Sequence, residues 1–259
     1  MTILEAITIA IVEGLTEFLP VSSTGHMILT SAAFGLENDS FVKTFEISIQ
    51  LGAILAIVMI YAKRFIRNFK MYRKILVAFV PTAVVGLFAY KFIKDVLFNS
   101  VIVSVSLIVG GIILILIDRR VNGQVSKYSE VEDISERNAF FIGLAQCVSM
   151  IPGVSRAGAT IVGGVFNGLN KKQATEFSFL LAVPTMFAAA GYDIYKTPFN
   201  FSHHELVLLF WGLIVAFISA WGAVKVFLLI IEKYGFVHFG WYRIAIGVLF
   251  LSLWHFGII

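Results

Sequence analysis

Two glutamates, two adjacent serines, a threonine and a histidine fall within fourteen residues near the start of the chain: Glu13, Glu17, Ser22, Ser23, Thr24 and His26, in EGLTEFLPVSSTGH. On a helix, Glu13 and Glu17 share one face, where like charges repel unless a cation or an arginine relieves them. Ser23 is a candidate hydroxyl nucleophile, and His26, one helical turn on, a base or a competing nucleophile. Pro20 and Gly25 interrupt any helix through the stretch. A second broken stretch, PGVSRAGAT at 152–160, supplies Arg156, whose planar guanidinium suits phosphate better than a lysine would. Hydroxyl, imidazole, paired carboxylates and guanidinium together point to phosphoryl transfer, with the carboxylates as metal ligands or base. Each has a plainer reading. Ser23 alone is a helix cap, His26 a hydrogen-bonded core residue, and the glutamates partners of Arg156 in a purely structural tie.

These groups sit in a very apolar chain. Of 259 residues, 59% are hydrophobic and 14% charged, with mean hydropathy +0.90, against about 25% charged in soluble proteins. The chain reads as a polytopic membrane protein with no room for a soluble domain. Its net charge of +4 is no sign of nucleic-acid binding, because the basic residues lie in short segments between apolar runs. The single cysteine, Cys147, excludes an intrachain disulfide and a cysteine metal cluster, and reads as a small buried residue. The N-terminus lacks a basic region and carries Glu5, so it is a poor cleavable signal. An ionisable group at bilayer depth costs about 2.5–3.5 kcal/mol on insertion scales, so the Glu13–His26 stretch reads as a site.

The elements that must position it follow from the apolar runs. Residues 1–19 form a helix that Pro20 ends, and Met27–Leu36 is too short for a bilayer core that needs about twenty residues. Two half-length helices around a turn read as a re-entrant hairpin. Phe45–Ala62, Ile75–Tyr90 and Val101–Ile117 are spans, with KRFIRNFKMYRK a basic loop after the first, and Gly123–Arg137 is a polar linker. Ala139–Ile151 and Ile161–Leu169 flank the second break; Phe177–Tyr195, Leu206–Ile231 and Trp241–Phe256 are three further spans. Lys225 and Arg243 are expected to snorkel at cytoplasmic span ends. His203 and His204 fall in an outer loop, most phenylalanines face lipid, and Gly163, Gly164 and Gly168 allow close helix packing. Thirteen basic residues then lie on one side and four (Lys43, Lys91, Lys94, Lys196) on the other, which makes the richer side cytoplasmic.

The halves repeat. VSSTGH at 21–26 matches VSRAGA at 154–159, and EISIQL at 46–51 matches EFSFLL at 176–181, which pairs Glu46 with Glu176 as cavity-lining or span-end residues. Three crossings between the copies make the second enter from the opposite face, an inverted-topology repeat. The expected fold is an all-α polytopic membrane protein. It has six transmembrane helices plus two re-entrant helix hairpins, with repeats at 1–121 and 134–259 and a cytoplasmic linker at 122–133. The tips should meet near the midplane. Ser22 and Ser155 would stand at the N-caps, and the helix N-termini and Arg156 would form a pocket for a multiply charged anion.

EGLTEFLPVSSTGH and PGVSRAGAT closely resemble the two signature motifs of the undecaprenyl-diphosphate phosphatase, or bacitracin-resistance, family of bacterial membrane enzymes. FEISIQLGAILA at 45–56 and EFSFLLAVP at 176–184 are similar to further segments of that family. The resemblance covers essentially the whole chain. It implies hydrolysis of undecaprenyl diphosphate to undecaprenyl phosphate and phosphate, which recycles the cell-wall lipid carrier, with a divalent cation, Mg²⁺ or Ca²⁺. Carried over by motif position, the family's glutamates fall on Glu13 and Glu17, its serine on Ser23, its histidine on His26 and its arginine on Arg156. Glu13 and Glu17 are then the metal positions, and Ser23, His26, Glu17 and Arg156 the catalytic ones. Ser155 and Thr160 match second-motif hydroxyls, and Ser22, Thr24, Gly25, Ser155, Gly158 and Thr160 become the substrate-binding candidates. Ala157 stands where some relatives carry serine. The resemblance further implies a bacterial inner-membrane location with the site opening to the periplasmic side, a polyprenyl diphosphate partner in the bilayer and no nucleic acid. It leaves a homodimer as one option for assembly. Family accounts differ on whether serine or histidine attacks phosphorus; the expectation is attack by Ser23 with His26 assisting. A transporter or flippase of a lipid phosphate is the alternative that inverted repeats and intramembrane glutamates also suit.

Overall fold

The computed structural model describes residues 1–67, 69–92, 100–121, 125–196 and 201–257. Lys94, counted above on the outer side, and Gly123, at the start of the expected linker, lie outside them. Eleven α-helices and no strand occur among the described residues: α1 (Ile3–Thr16), α2 (Ser23–Ala33), α3 (Ser40–Ile60), α4 (Ala62–Arg67), α5 (Phe69–Phe92), α6 (Ser100–Arg120), α7 (Glu136–Cys147), α8 (Arg156–Phe166), α9 (Lys171–Lys196), α10 (His203–Tyr234) and α11 (Val237–His255). Six of them (α3, α5, α6, α9, α10 and α11) are long and apolar enough to cross a membrane. The chain is a multi-pass membrane protein.

Local chemistry sets the helix starts. A capping box of Thr2 and Glu5 opens α1, Asp39 accepts from the amides of Phe41 and Val42 at α3, Ser135 caps α7, and Ser202 with Glu205 boxes α10. Pro20 lacks an N–H and its ring crowds the preceding turn, so α1 stops short of it. The second break runs through a 3₁₀ turn at Val148–Met150, then Pro152 and Gly153. Gly153 has φ +90°, and a Cβ there would stand 2.5 Å from the carbonyl of Val103; only glycine meets both conditions.

Several boundaries differ from those read off the apolar runs. Ser23, Thr24 and Gly25 belong to the first turn of α2 rather than to the break. The basic segment after α3 is helical, split between α4 and the start of α5, because consecutive lysines and arginines are good helix formers. His203 and His204 open α10 instead of lying in a loop. The phenylalanines divide: Phe18, Phe45, Phe177, Phe179, Phe227, Phe236 and Phe250 are fully enclosed. Phe18, at the first break, meets Phe179 edge-on at 5.7 Å, and Phe179 meets Phe227 at 6.1 Å. Cys147 is half-buried.

The packing is reciprocal. α1 lies along α10 while α7 lies along α5, and α3 meets α9 as α6 meets α11. Gly14 lets α1 approach α10, since a Cβ there would be 2.5 Å from the carbonyl of Ala216; Gly143 does the same for α7, against the carbonyl of Ala78. Small residues give such contacts their closeness in membrane helices. Gly163 and Gly164 pack against Ala145 and Ala174 as expected. At the end of the bundle that carries the basic segments, Asp118 accepts from the Phe236 amide at 2.8 Å and pairs with Lys171 at 2.6 Å. Arg64 pairs with Glu176 at 3.0 Å. The linker docks there too, with Lys127 N–H donating to Gly168 and Gln173 donating to the Tyr128 carbonyl.

Because backbone carbonyls leave no room at these two crossings, Gly14→Ala and Gly143→Ala should each lower stability by about 1–3 kcal/mol. Thermal unfolding of the purified protein in detergent checks this; unchanged midpoints would show that the crossings tolerate a methyl group.

Candidate active site

The two breaks come together, and Arg243 of α11 joins them. Its guanidinium donates to the carbonyls of Pro20 (3.1 Å) in the first break and of Gly153 (2.8 Å) and Val154 (2.9 Å) in the second. It also reaches Leu107 (3.3 Å) and Ser106 (3.1 Å) on α6. Arg243 is 1% exposed, which corrects the expectation that it snorkels at a span end. Three main-chain carbonyls left over at the breaks, and two more within α6, find a donor in one side chain, and the charge is solvated by dipoles instead of water. Sequence inspection missed this because carbonyl acceptors have no residue signature. Lys225 does remain exposed, its ammonium 5.1 Å from the Trp221 ring centroid.

Each break ends on a serine with left-handed φ, Ser22 at +71° and Ser155 at +73°, the two such non-glycine residues among those described. Both occupy N-cap positions, as their spacing predicts, but only Ser155 caps with its side chain, accepting from Gly158 N–H at 3.1 Å. Such backbone is costly for a residue with a Cβ and persists where surroundings enforce it. The first amides of α2 and α8 have no acceptor within their own helices.

Glu17, at the C-terminus of α1, is the hub. Its Oε2 accepts a short hydrogen bond from the Ser23 hydroxyl, and its Oε1 accepts from Arg156 Nη2 at 3.1 Å. Ser23 of one break and Arg156 of the other therefore share one carboxylate. Arg156 also donates to the Ser178 carbonyl at 3.1 Å, and its guanidinium carbon lies 5.6 Å from the Phe18 ring centroid. Thr160 is enclosed; its hydroxyl donates to the Arg156 carbonyl (2.9 Å) and lies 2.6 Å from the Ser178 hydroxyl, from which it can accept. It braces Arg156 from below. Ser178, not singled out from the sequence, lies in the EFSFLL segment. Thr24 is half-buried in the first turn of α2, Gly25 faces Leu107, and Gly158 approaches the guanidinium of Arg243.

Glu13 is fully buried and neither carboxylate oxygen has a hydrogen-bond partner. Glu17 lies against it, with Glu46 and Arg156 in electrostatic reach. A desolvated carboxylate beside a second one calls for a proton or a cation. Among the described residues no three histidine, cysteine, aspartate or glutamate side chains converge in ligating geometry. Glu46 accepts from Ser31 on α2, whereas its repeat counterpart Glu176 is taken up by Arg64. Matching positions have separate uses.

His26 does not hydrogen-bond to Ser23. Its Nδ1 lies 2.8 Å from the Ser22 carbonyl and its Nε2 lies 2.7 Å from the Tyr242 hydroxyl, the two rings stacked at 5.5 Å. Tyr242 is another residue that sequence inspection missed; one tyrosine in an apolar span carries no signal of its own.

A family model described as bacitracin resistance protein BacA matches residues 6–249. Curated relatives named undecaprenyl-diphosphatase align along nearly the full length. One from Aquifex aeolicus is 48% identical over 99% of this chain and 100% of its own. One from Wolinella succinogenes is 50% identical over 97% and 98%, and one from Flavobacterium psychrophilum 51% identical over 98% and 96%.

Arg243→Met keeps the stem and removes every donor. Leaving buried carbonyls unpaired at about 1–3 kcal/mol each, it should cost at least about 3 kcal/mol, and Arg243→Lys, with a point charge instead of a fork, should recover less than half of the loss. Unfolding in detergent reads both; a fully recovering lysine would show that charge alone holds the breaks.

Proposed function

Since the chain belongs to the bacitracin resistance protein BacA family, we infer that it is an integral membrane undecaprenyl-diphosphate phosphatase. It releases phosphate from undecaprenyl diphosphate and returns undecaprenyl phosphate, the lipid carrier of cell-wall synthesis. The family's name associates this activity with bacitracin resistance. One observation carries the residue assignment: the Glu17 carboxylate that receives the Ser23 hydroxyl on one oxygen and the Arg156 guanidinium on the other.

In the proposed reaction the terminal phosphoryl group enters between Ser23 and Arg156. The Ser23 oxygen bonds to the terminal phosphorus as the bridging P–O bond breaks, and lipid phosphate departs. The hydroxyl proton passes to Glu17 and then to the departing phosphate, so Glu17 is a carboxylate again when water attacks the phosphoserine and restores Ser23. Arg156 and the α2 and α8 N-termini stabilise charge on the transferring group. Both nitrogens of His26 are engaged elsewhere, which favours Ser23 as the attacking group. Glu13, with its unpartnered oxygens, and Glu17 beside it would hold a divalent cation, Mg²⁺ or Ca²⁺. When bound, the ion would supply positive charge to the diphosphate oxygens.

The architecture proposed for this site is an inverted repeat, 1–121 and 134–259 about the linker, each copy a re-entrant hairpin followed by three spans. Three observations support it. Met1 meets His204 at the start of α10, away from the basic end, so α1 enters from that side. The linker before α7 docks at the turn that opens α9, so α7 enters from the basic side. The reciprocal packing of α1 on α10 and α7 on α5 follows the same exchange. With the basic end cytoplasmic in the inner membrane, the site would open to the periplasmic side and the isoprenoid would lie between the spans.

Phosphate release from undecaprenyl diphosphate by the purified protein tests the assignment. Ser23→Ala and Arg156→Ala should each reduce it by about a hundredfold or more; near-normal rates in both would end the reading. Chelation should abolish release and added Mg²⁺ or Ca²⁺ restore it, while Glu13→Gln should raise the cation concentration needed by about tenfold or more. An unchanged requirement would take the ion away from Glu13.

A further inference from the structure

We propose that Tyr242 is a positioning residue for this reaction: through the ring of His26 it holds the carbonyl of Ser22, and with it the left-handed turn that presents Ser23. The proposal rests on the phosphatase reading of the site. It begins with a proton count. A carbonyl oxygen only accepts, so the His26 nitrogen 2.8 Å from Ser22 must carry the hydrogen, and that nitrogen is Nδ1. In the neutral ring Nε2 then has a bare lone pair, and the group facing it at 2.7 Å is the Tyr242 hydroxyl, which donates. The Tyr242 hydroxyl, by donating, gives Nε2 a partner in this tautomer, and so helps keep the hydrogen on Nδ1 for the bond to Ser22.

Ser22 needs that bond. It holds φ +71° without glycine's freedom and, unlike Ser155, gets no cap from its own side chain. Its carbonyl also receives the His26 amide, but at 3.4 Å. Without the Tyr242 hydroxyl the ring can move its proton to Nε2. Nδ1 then turns a lone pair toward the Ser22 oxygen, the turn loses its grip, and the Ser23 oxygen shifts relative to Glu17. The charged and titratable groups bearing on the ring are Tyr242 and Arg243, both from α11. On the α6 side, Val103 and Leu107 approach Gly25 of this turn. Tyr242 is 44% exposed, so its hydroxyl can be removed without opening the interior.

The test combines a spectrum with kinetics. Histidine labelled with ¹⁵N reports tautomers in detergent, and the chain has five histidines, so the His26 signal is assigned by its disappearance in His26→Gln. In the unmodified protein it should show hydrogen on Nδ1, and in Tyr242→Phe a mixture containing the Nε2–H form should replace it. In phosphate release Tyr242→Phe should lower kcat by about tenfold or more with KM changed less than about twofold, the signature of a misplaced reacting group. An Nε2–H tautomer in the unmodified protein, or a His26 signal and kcat unaltered in Tyr242→Phe, would overturn the proposal. Absence of phosphate release by the unmodified protein would overturn the phosphatase reading instead. The two failures are separable because the spectrum is recorded without substrate.

Discussion

The guanidinium of Arg243 is the one contact without which neither break could exist where it does. Stopping a helix inside a membrane protein strands carbonyls that water cannot reach, at several kcal/mol each. Here two helices stop at the same depth, and a single buried cation collects Pro20, Gly153 and Val154 together with Ser106 and Leu107 of α6. Because the acceptors come from both breaks, the cation fixes their separation as well as their hydrogen bonding. The reacting groups inherit that fixed distance.

Charge then decides what the junction can do. Arg243 is balanced by dipoles and has no carboxylate among its hydrogen-bond partners, which leaves Glu13 and Glu17 uncancelled by it. Arg156 answers only one of them, through Glu17. The remaining carboxylate, Glu13, is enclosed and unpaired. In a low dielectric this imbalance is worth more than any surface ion pair, and a proton or a cation would relieve it.

Helix positions were legible because apolar runs and caps are local: Asp39, Ser135 and Pro20 act within a few residues of where they stand. The site motifs were legible for a related reason, since ionisable side chains are costly at bilayer depth and here cluster within two short broken stretches. Arg243 and Tyr242 were not. Each works through a partner more than a hundred residues distant or through main-chain atoms, and a lone polar residue near a span end reads as an interface anchor. The enclosed phenylalanines were hidden likewise, because a span's lipid face and its buried face have similar composition.

The two breaks each end on a serine with left-handed φ and differ in chemistry. Gly14-Leu15-Thr16-Glu17 before the first break parallels Gly143-Leu144-Ala145-Gln146 before the second, and both glycines press against the carbonyls of a helix in the other half. Where the first copy has the carboxylate of Glu17, the second has the amide of Gln146, buried and donating to Thr82 at 2.7 Å and Thr185 at 3.2 Å. After each left-handed serine, the first copy places the Ser23 hydroxyl and the second the Arg156 guanidinium. The first break thus contributes a hydroxyl and a carboxylate and the second a guanidinium, and only their junction brings the three together.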